Sequence, residues 1–188
     1  MGFRGRYSII GLKPDLIWRC RGTASEINRE ARFDRNSFAP QDGNPLDGLR
    51  ALIAECRIDM PADLPAAAAG LFGYLGYDMI RLVEHLPDIN PDPIGVPDAV
   101  MIRPTVVAVL DGVKGEVTLV SPAWVNSGLS ARAAYAQAAE RVMDTLRDLE
   151  RPVSSTHREL SGAAHVGAPV SNFTKEGYLA AVEKAKDY

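Results

Sequence analysis

Two hydrophobic periods alternate along this chain, and the switches between them mark out its elements. The opening run Arg6-Tyr7-Ser8-Ile9-Ile10-Gly11 is dense in β-formers, and Lys13-Pro14-Asp15 after it reads as a turn. Leu16, Trp18 and Cys20 then alternate with Asp15, Ile17, Arg19 and Arg21, which predicts a second strand with one mostly apolar face. A third short strand is expected over 27–33. Links this short cannot make the crossover that parallel strands need, so the three form an antiparallel meander.

The period changes to that of a helix at Asn44-Pro45-Leu46-Asp47, where a capping residue, a proline at the first helical position and an acid in the first turn coincide. Leu46, Leu49, Ile53 and Cys56 follow as its apolar stripe, and Pro61 marks its end. Residues 66–77 are small and apolar and carry Gly70, Gly73 and Gly76, a composition suited to a buried strand closely approached by another backbone. A helix is expected from Asp78, with Met79, Leu82, Val83 and Leu86 inward and Pro87 as its stop. The proline-rich stretch 88–98 reads as an ordered loop. The Val-, Leu-, Ile- and Thr-rich runs 100–110 and 116–121 flank Asp111-Gly112-Val113-Lys114-Gly115 and predict a hairpin.

Ser130 caps a further helix whose stripe is Tyr135, Ala138, Val142, Leu146 and Leu149, stopped by Pro152. Residues 153–170 lack periodicity and read as a linker or mobile loop. Thr174 caps a last helix with Tyr178, Ala181, Val182 and Ala185 inward; the chain reaches Tyr188 with no glycine, proline or cap, so a fragment of a longer protein is expected. The fold class is α+β, with antiparallel sheets in a sandwich-like arrangement and helices packed outside.

Composition narrows the function without naming it. Of 188 residues 46% are hydrophobic and 24% charged, a globular balance. The 21 Lys plus Arg are interspersed with 24 Asp plus Glu for a net −3, which leaves no basic footprint for nucleic acid. Cys20 and Cys56 stand outside any CxxC and read as two buried thiols of a reducing compartment. The longest apolar stretch, 64–75, is broken by Pro65, Gly70 and Gly73 and falls short of the ~20 residues of a membrane span. With no signal peptide apparent, a cytoplasmic protein without membrane contact is expected.

Chemistry-bearing motifs are missing. The run from Gly70 to Gly76 lacks the spacing of a phosphate loop, and His85, His157 and His165 share no metal-ligand spacing. No nucleophile elbow or Cys-His pair occurs. Asp78 and Glu84 would lie on nearly opposite helix faces, so no acid-base pair forms. No catalytic and no metal-ligating residue is expected.

The string GRYSIIG at 5–11 resembles the GRYSxIG segment of anthranilate synthase component I and of the related aminodeoxychorismate synthase component I. GLFGYLGYDMIRLVEHLP at 70–87 is similar to the more specific GxxGYxxYDxxRxxExLP block of that family. Pro97-Asp98, the hairpin sequence and the closing SNFTKEGYLAAVEKAKDY fit the same order, so the resemblance covers nearly the whole chain.

That resemblance implies an amino-terminal domain at 1–152, a linker at 153–170, and at 171–188 the first helix of a chorismate-binding catalytic domain, without which the fold is incomplete. It implies a whole enzyme that turns chorismate and ammonia, supplied by a glutamine amidotransferase subunit, into anthranilate and pyruvate. Its Mg²⁺ would be held by ligands outside this chain, and the fragment alone would be inactive. It further implies feedback inhibition by tryptophan, with Arg6, Tyr7 and Ser8 bordering the effector pocket. The family's Leu-Leu-Glu-Ser segment ahead of GRYS is replaced here by Met1-Gly2-Phe3-Arg4. The alternatives are the corresponding part of aminodeoxychorismate synthase component I, toward which the YDMIRLVEHLP stretch leans less, and a stand-alone small-molecule binding module.

Overall fold

The computed structural model describes residues 5–88, 91–124, 128–152 and 167–187. The chain divides into two units, Met1–Glu150 and Arg151–Tyr188. In the first, β1 (Tyr7–Arg21), β2 (Ala24–Asn28), β3 (Ala39–Gln41), β4 (Phe72–Leu75), β5 (Ala99–Asp111) and β6 (Glu116–Val120) form one sheet of order β3-β2-β1-β5-β4, with β6 also on β5. Every pairing is antiparallel. The α+β antiparallel class thus holds, with all six strands hydrogen-bonded into one sheet.

β5 is the axis of this sheet. One edge pairs with β1 from Tyr7↔Asp111 to Cys20↔Ala99, while the other takes β4 opposite 99–102 and β6 opposite 107–111. Residues 104–109 are buried without alternation, the signature of a strand covered on both faces. The expected β5–β6 hairpin forms as read, its turn closed by Gly115 N donating to Asp111 O at 2.8 Å with Gly115 at φ +70°.

The turn expected at 13–15 is instead a bulge inside β1. The register on β5 shifts between Pro14 and Leu16, and Lys13 sits at φ +49°. A proline has no amide to give a ladder, and a bulge is where a strand tolerates one. Because β5 is long enough to pair on both sides of the irregularity, the chain continues as one strand, and Thr105 Oγ1 ties the site by donating to Lys13 O at 2.7 Å. Beyond the bulge Leu16, Trp18 and Cys20 are fully buried, as their alternation predicts. Trp18 Nε1 meets its need by donating to Gln41 Oε1 at 2.7 Å. Truncating Trp18 to alanine would cost about 3–5 kcal/mol.

The third strand ends at Asn28 rather than 33. The buried Asn28 turns the chain there, Nδ2 donating to Asp34 O at 2.7 Å and Oδ1 accepting from Glu30 N at 2.8 Å. Phe33 is left exposed, and the short β3, absent from the sequence reading, pairs with β2.

α1 (Pro45–Glu55) begins as read, with Asn44 Oδ1 accepting from Leu46 N at 2.9 Å. Its buried face is Leu49 and Leu52, extended by Cys56 just past its end, while Ile53, assigned to the stripe, is exposed. These residues close over Leu16, Trp18, Cys20 and Ile27 as the main core. The region 66–77 is a 3₁₀ turn (Ala66–Ala68) and the short, mostly exposed β4, not a buried strand. Its glycines nonetheless permit the expected close approach: a Cβ on Gly73 would lie 1.9 Å from Val100 O, and one on Gly76 2.8 Å from Asp98 O.

The helix expected from Asp78 is only a 3₁₀ segment, Tyr77–Leu82, with Met79 buried and Val83 exposed. Arg81 folds the chain back at once by donating to Leu86 O and Pro87 O, each at 2.9 Å, which leaves Leu86 exposed.

α2 (Ala131–Leu149) starts at Ser130, whose Oγ accepts from Ala133 N at 3.2 Å. It packs on β5 and β6 through Ala134, Ala138 and Thr145. Ala138 fits the expected stripe, but Tyr135, at 72% exposure, Leu146 and Leu149 face away from the sheet. Small side chains let this helix approach a strand already filled with valines, so the face is set by volume and not by hydrophobicity alone.

In the second unit, α3 (Lys175–Lys186) is capped by Thr174, whose Oγ1 accepts from Gly177 N at 3.1 Å. None of its residues is buried, including Tyr178, Ala181, Val182 and Ala185, because no second element of this unit covers it among the described residues. The expected linker falls mostly outside the described residues, at 153–166. No helix among the described residues is long and apolar enough to cross a membrane.

Gly73→Ala should lower the unfolding free energy by about 1–3 kcal/mol, because the added Cβ meets backbone that can move only with β5. Gly167→Ala, where a Cβ would meet nothing within 4 Å, should leave it unchanged; urea denaturation of the two variants checks both.

Candidate functional site

Arg6, Tyr7 and Ser8 lie together where the chain enters β1, against the far end of β5. Backbone hydrogen bonding fixes the place, with Gly112 N donating to Arg6 O at 2.8 Å. The Arg6 guanidinium then forks onto Asp111: Nε donates at 3.0 Å to Oδ1 and 3.1 Å to Oδ2, and Nη2 donates at 2.5 Å to Oδ2. Asp111 Oδ1 also accepts from Val113 N at 3.0 Å and Lys114 N at 3.2 Å, so one carboxylate closes the hairpin turn and holds the arginine. The guanidinium carbon stands 4.8 Å from the centroid of the Tyr7 ring.

Hydrogen bonding from Arg6, reinforced by the two turn amides, holds the Asp111 carboxyl well below the usual carboxylate range; the same bond raises Arg6. The fork that suits a ligand carboxylate therefore already has a resident partner. Ser8 makes no side-chain hydrogen bond among the described residues, and Tyr7, Ser8, Ile9 and Ile10 are all exposed. Four consecutive exposed residues mean that both faces of this half-strand are open, in contrast to the strict alternation beyond the bulge.

Other chemistry-bearing side chains are dispersed. Asp78 and Asp88 both serve Arg81, at 2.7 and 3.7 Å. Asp98 Oδ2 accepts from Gly22 N at 2.6 Å, and Asp92 Oδ1 from Gly95 N at 2.9 Å. Among the described residues no three His, Cys, Asp or Glu side chains converge on a metal position. These acids do not fit a Mg²⁺ site, since each is consumed by an arginine or a backbone amide. His85 is exposed, while His157 and His165 lie outside the described residues. Cys20 and Cys56 are buried and free, and burial pushes both thiols up, away from the reactive thiolate.

Two partners escaped the sequence reading. Asp111 was read as a turn residue and not as the counter-ion of Arg6. Arg103, 13% exposed, donates to Asp15 Oδ1 at 2.8 Å and Oδ2 at 3.0 Å. The available signal was a lone charge inside an otherwise valine-rich strand, which demands a partner wherever it is buried.

No family model matches the chain. Over 185 residues it is 74% identical to anthranilate synthase component 1 of Cereibacter sphaeroides, a match covering 98% of this chain and 37% of that protein. The chain belongs to the anthranilate synthase component I family. It is also 31% identical over 189 residues to anthranilate synthase component 1 of Thermus thermophilus, covering 100% of the chain and 36% of that relative. It spans little more than a third of the length of the curated relatives it matches. Its fold is that of a solved anthranilate synthase component I from Streptococcus pneumoniae, at a TM-score of 0.63 and 22% identity, covering 100% of this chain and 39% of that one.

Within this family member, the Arg6–Asp111 pair should govern acid stability. A carboxyl held below its ordinary value of about 4 stabilises the fold fully above that value, and the contribution fades as pH falls below it. Asp111→Asn should therefore lower the urea midpoint at neutral pH. The gap between variant and parent should narrow progressively below about pH 4, as measured by circular dichroism.

Proposed function

We propose that this chain is the amino-terminal structural and regulatory part of an anthranilate synthase component I, whose whole length turns chorismate and ammonia into anthranilate and pyruvate in tryptophan biosynthesis, a lyase reaction. The observation that carries this reading is 74% identity across 98% of the chain to a relative of that name. Such identity favours anthranilate synthase over the aminodeoxychorismate enzyme and over a stand-alone binding module.

In this reading the catalytic domain lies beyond the first unit, and residues 171–188 supply its first helix after a linker at 153–170. The Mg²⁺ ligands belong to that domain. A glutamine amidotransferase subunit, component II, delivers the ammonia, and the assembly is cytoplasmic.

The regulatory role rests on the exposed half of β1. Tryptophan would lie against Tyr7 and Ser8, whose side chains are accessible, and its carboxylate would reach Arg6 only by sharing or displacing Asp111. Feedback inhibition further requires that tryptophan prefer one of two enzyme conformations, since equal affinity shifts nothing.

Two measurements test the proposal. The 188-residue chain alone, given chorismate, ammonium and Mg²⁺, should produce no anthranilate fluorescence, and turnover near that of the whole enzyme would refute the division of labour. In the full-length enzyme, Arg6→Ala should raise the tryptophan concentration for half inhibition by about tenfold at near-normal turnover, the scale of one charge-assisted hydrogen bond. Unchanged inhibition would reduce Arg6 to a residue of the hairpin clamp.

A further inference from the structure

A cleft of about 490 Å³ opens in the first unit beside α2, and its charges do not balance. Four arginines line it, Arg29, Arg32, Arg103 and Arg141, against three carboxylates, Asp15, Glu30 and Glu55. Two of those acids are spoken for. Asp15 receives the fork of Arg103, and Glu55 receives that of Arg29 at 2.7 and 2.8 Å. Glu30 is exposed and forms no ion pair with either remaining arginine.

Arg141 is half-buried and holds no carboxylate. Its Nε donates to Ser121 Oγ at 3.0 Å, and Nη2 reaches Pro122 O only at 3.4 Å. Burial lowers its affinity for a proton and the like charge of Arg32 lowers it further, against the smaller opposing effect of the Asp15 carboxylate. Arg32 itself has no partner among the described residues. Glu140 shares an adjoining depression with both arginines and pairs with neither, while Asp144 there is bound to Arg147.

The cleft wall also carries an aromatic ring. The Trp124 ring lies under Arg103, 4.7 Å from its guanidinium carbon to the centroid. The indole Nε1 is buried and has no acceptor among the described residues, an arrangement that folded proteins rarely leave standing. Two guanidinium groups without a carboxylate in one cleft call for oxygens carrying negative charge.

We infer that this cleft is a binding site for a small oxyanion, a carboxylate or phosphate compound whose oxygens are received by Arg141 and Arg32. Its size suits a metabolite rather than a macromolecule. Guanidinium contact provides the charge recognition. The site is separate from the Arg6 clamp, and the inference does not depend on the catalytic reading above.

The chain carries its own internal control. It has two tryptophans, and Trp18 Nε1 is already satisfied by Gln41. In a proton–nitrogen correlation spectrum of the labelled 188-residue chain, with Trp124→Phe used for assignment, sodium phosphate and sodium malonate are titrated separately at ionic strength held with chloride. The Trp124 indole resonance should shift to saturation while that of Trp18 stays in place. Saturation by malonate alone assigns the carboxylate class, and by phosphate alone the phosphate class. Arg141→Gln should weaken binding by about tenfold or more, the loss of a charge-assisted pair. Arg32→Gln, at an exposed position without described partners, should weaken it several-fold and keeps the test valid if the first variant fails to fold. A shift linear in both anions, or variants that bind like the parent, would overturn the inference.

Discussion

The antiparallel contact between β1 and β5 is the constraint on which the first unit depends. β2 and β3 reach the sheet only through β1, while β4 and β6 reach it through β5. Its partners lie far apart in sequence, 105 positions for Arg6 and Asp111 and 88 for Asp15 and Arg103. Closing so long a loop is entropically costly before any contact rewards it, so formation of this pair is the slow, cooperative step expected of non-local sheets. Charge marks the contact along its length. Arg6 with Asp111 secures one end, Arg103 with Asp15 spans the bulge, and Asp98 binds the other end through Cys20 O and Gly22 N.

Features that a few neighbouring residues determine were legible in the sequence. The caps at Asn44, Ser130 and Thr174, the hairpin at 111–115, the alternation of Leu16, Trp18 and Cys20, and the close approach at Gly73 all depend on chemistry within one turn or one pleat. Which face of a helix is buried does not. In α2 the large apolar residues Tyr135, Leu146 and Leu149 dominate the periodic pattern, yet the buried face against the valines of β5 is made of the smaller Ala134, Ala138 and Thr145. Similarly, Lys13-Pro14-Asp15 is good turn chemistry, and only a long partner strand makes it a bulge instead. Of the proposed effector residues, Tyr7 and Ser8 were legible as strand residues, while Arg6 lies just ahead of β1. The counter-ion that occupies Arg6 could not be read locally, because it arrives from the other end of the sheet.

The same residue type plays opposed parts in the unit. Arg6, Arg29 and Arg103 are each matched by a carboxylate in a two-pronged contact, which neutralises them and makes them elements of structure. Arg141 is kept half-buried by a hydroxyl and a carbonyl, partners that leave its charge intact. Pairing geometry, and not the number of positive residues, therefore separates guanidinium groups that brace the sheet from those that remain able to receive a ligand.

The bulge in β1 also bears on how this chain avoids its own kind. Among the described residues the strand from Tyr7 to Leu12 pairs only with β5, because β2 begins its ladder at Ile17. That stretch offers an unpaired edge flanked by Ile9 and Ile10, the sort of surface on which foreign strands accrete. Lys13 in a left-handed conformation and Pro14 without an amide interrupt the edge immediately afterwards, so an incoming strand could extend the sheet by only a few residues before losing register. The irregularity that ends the exposed half of β1 thus acts as a gatekeeper against edge-to-edge aggregation.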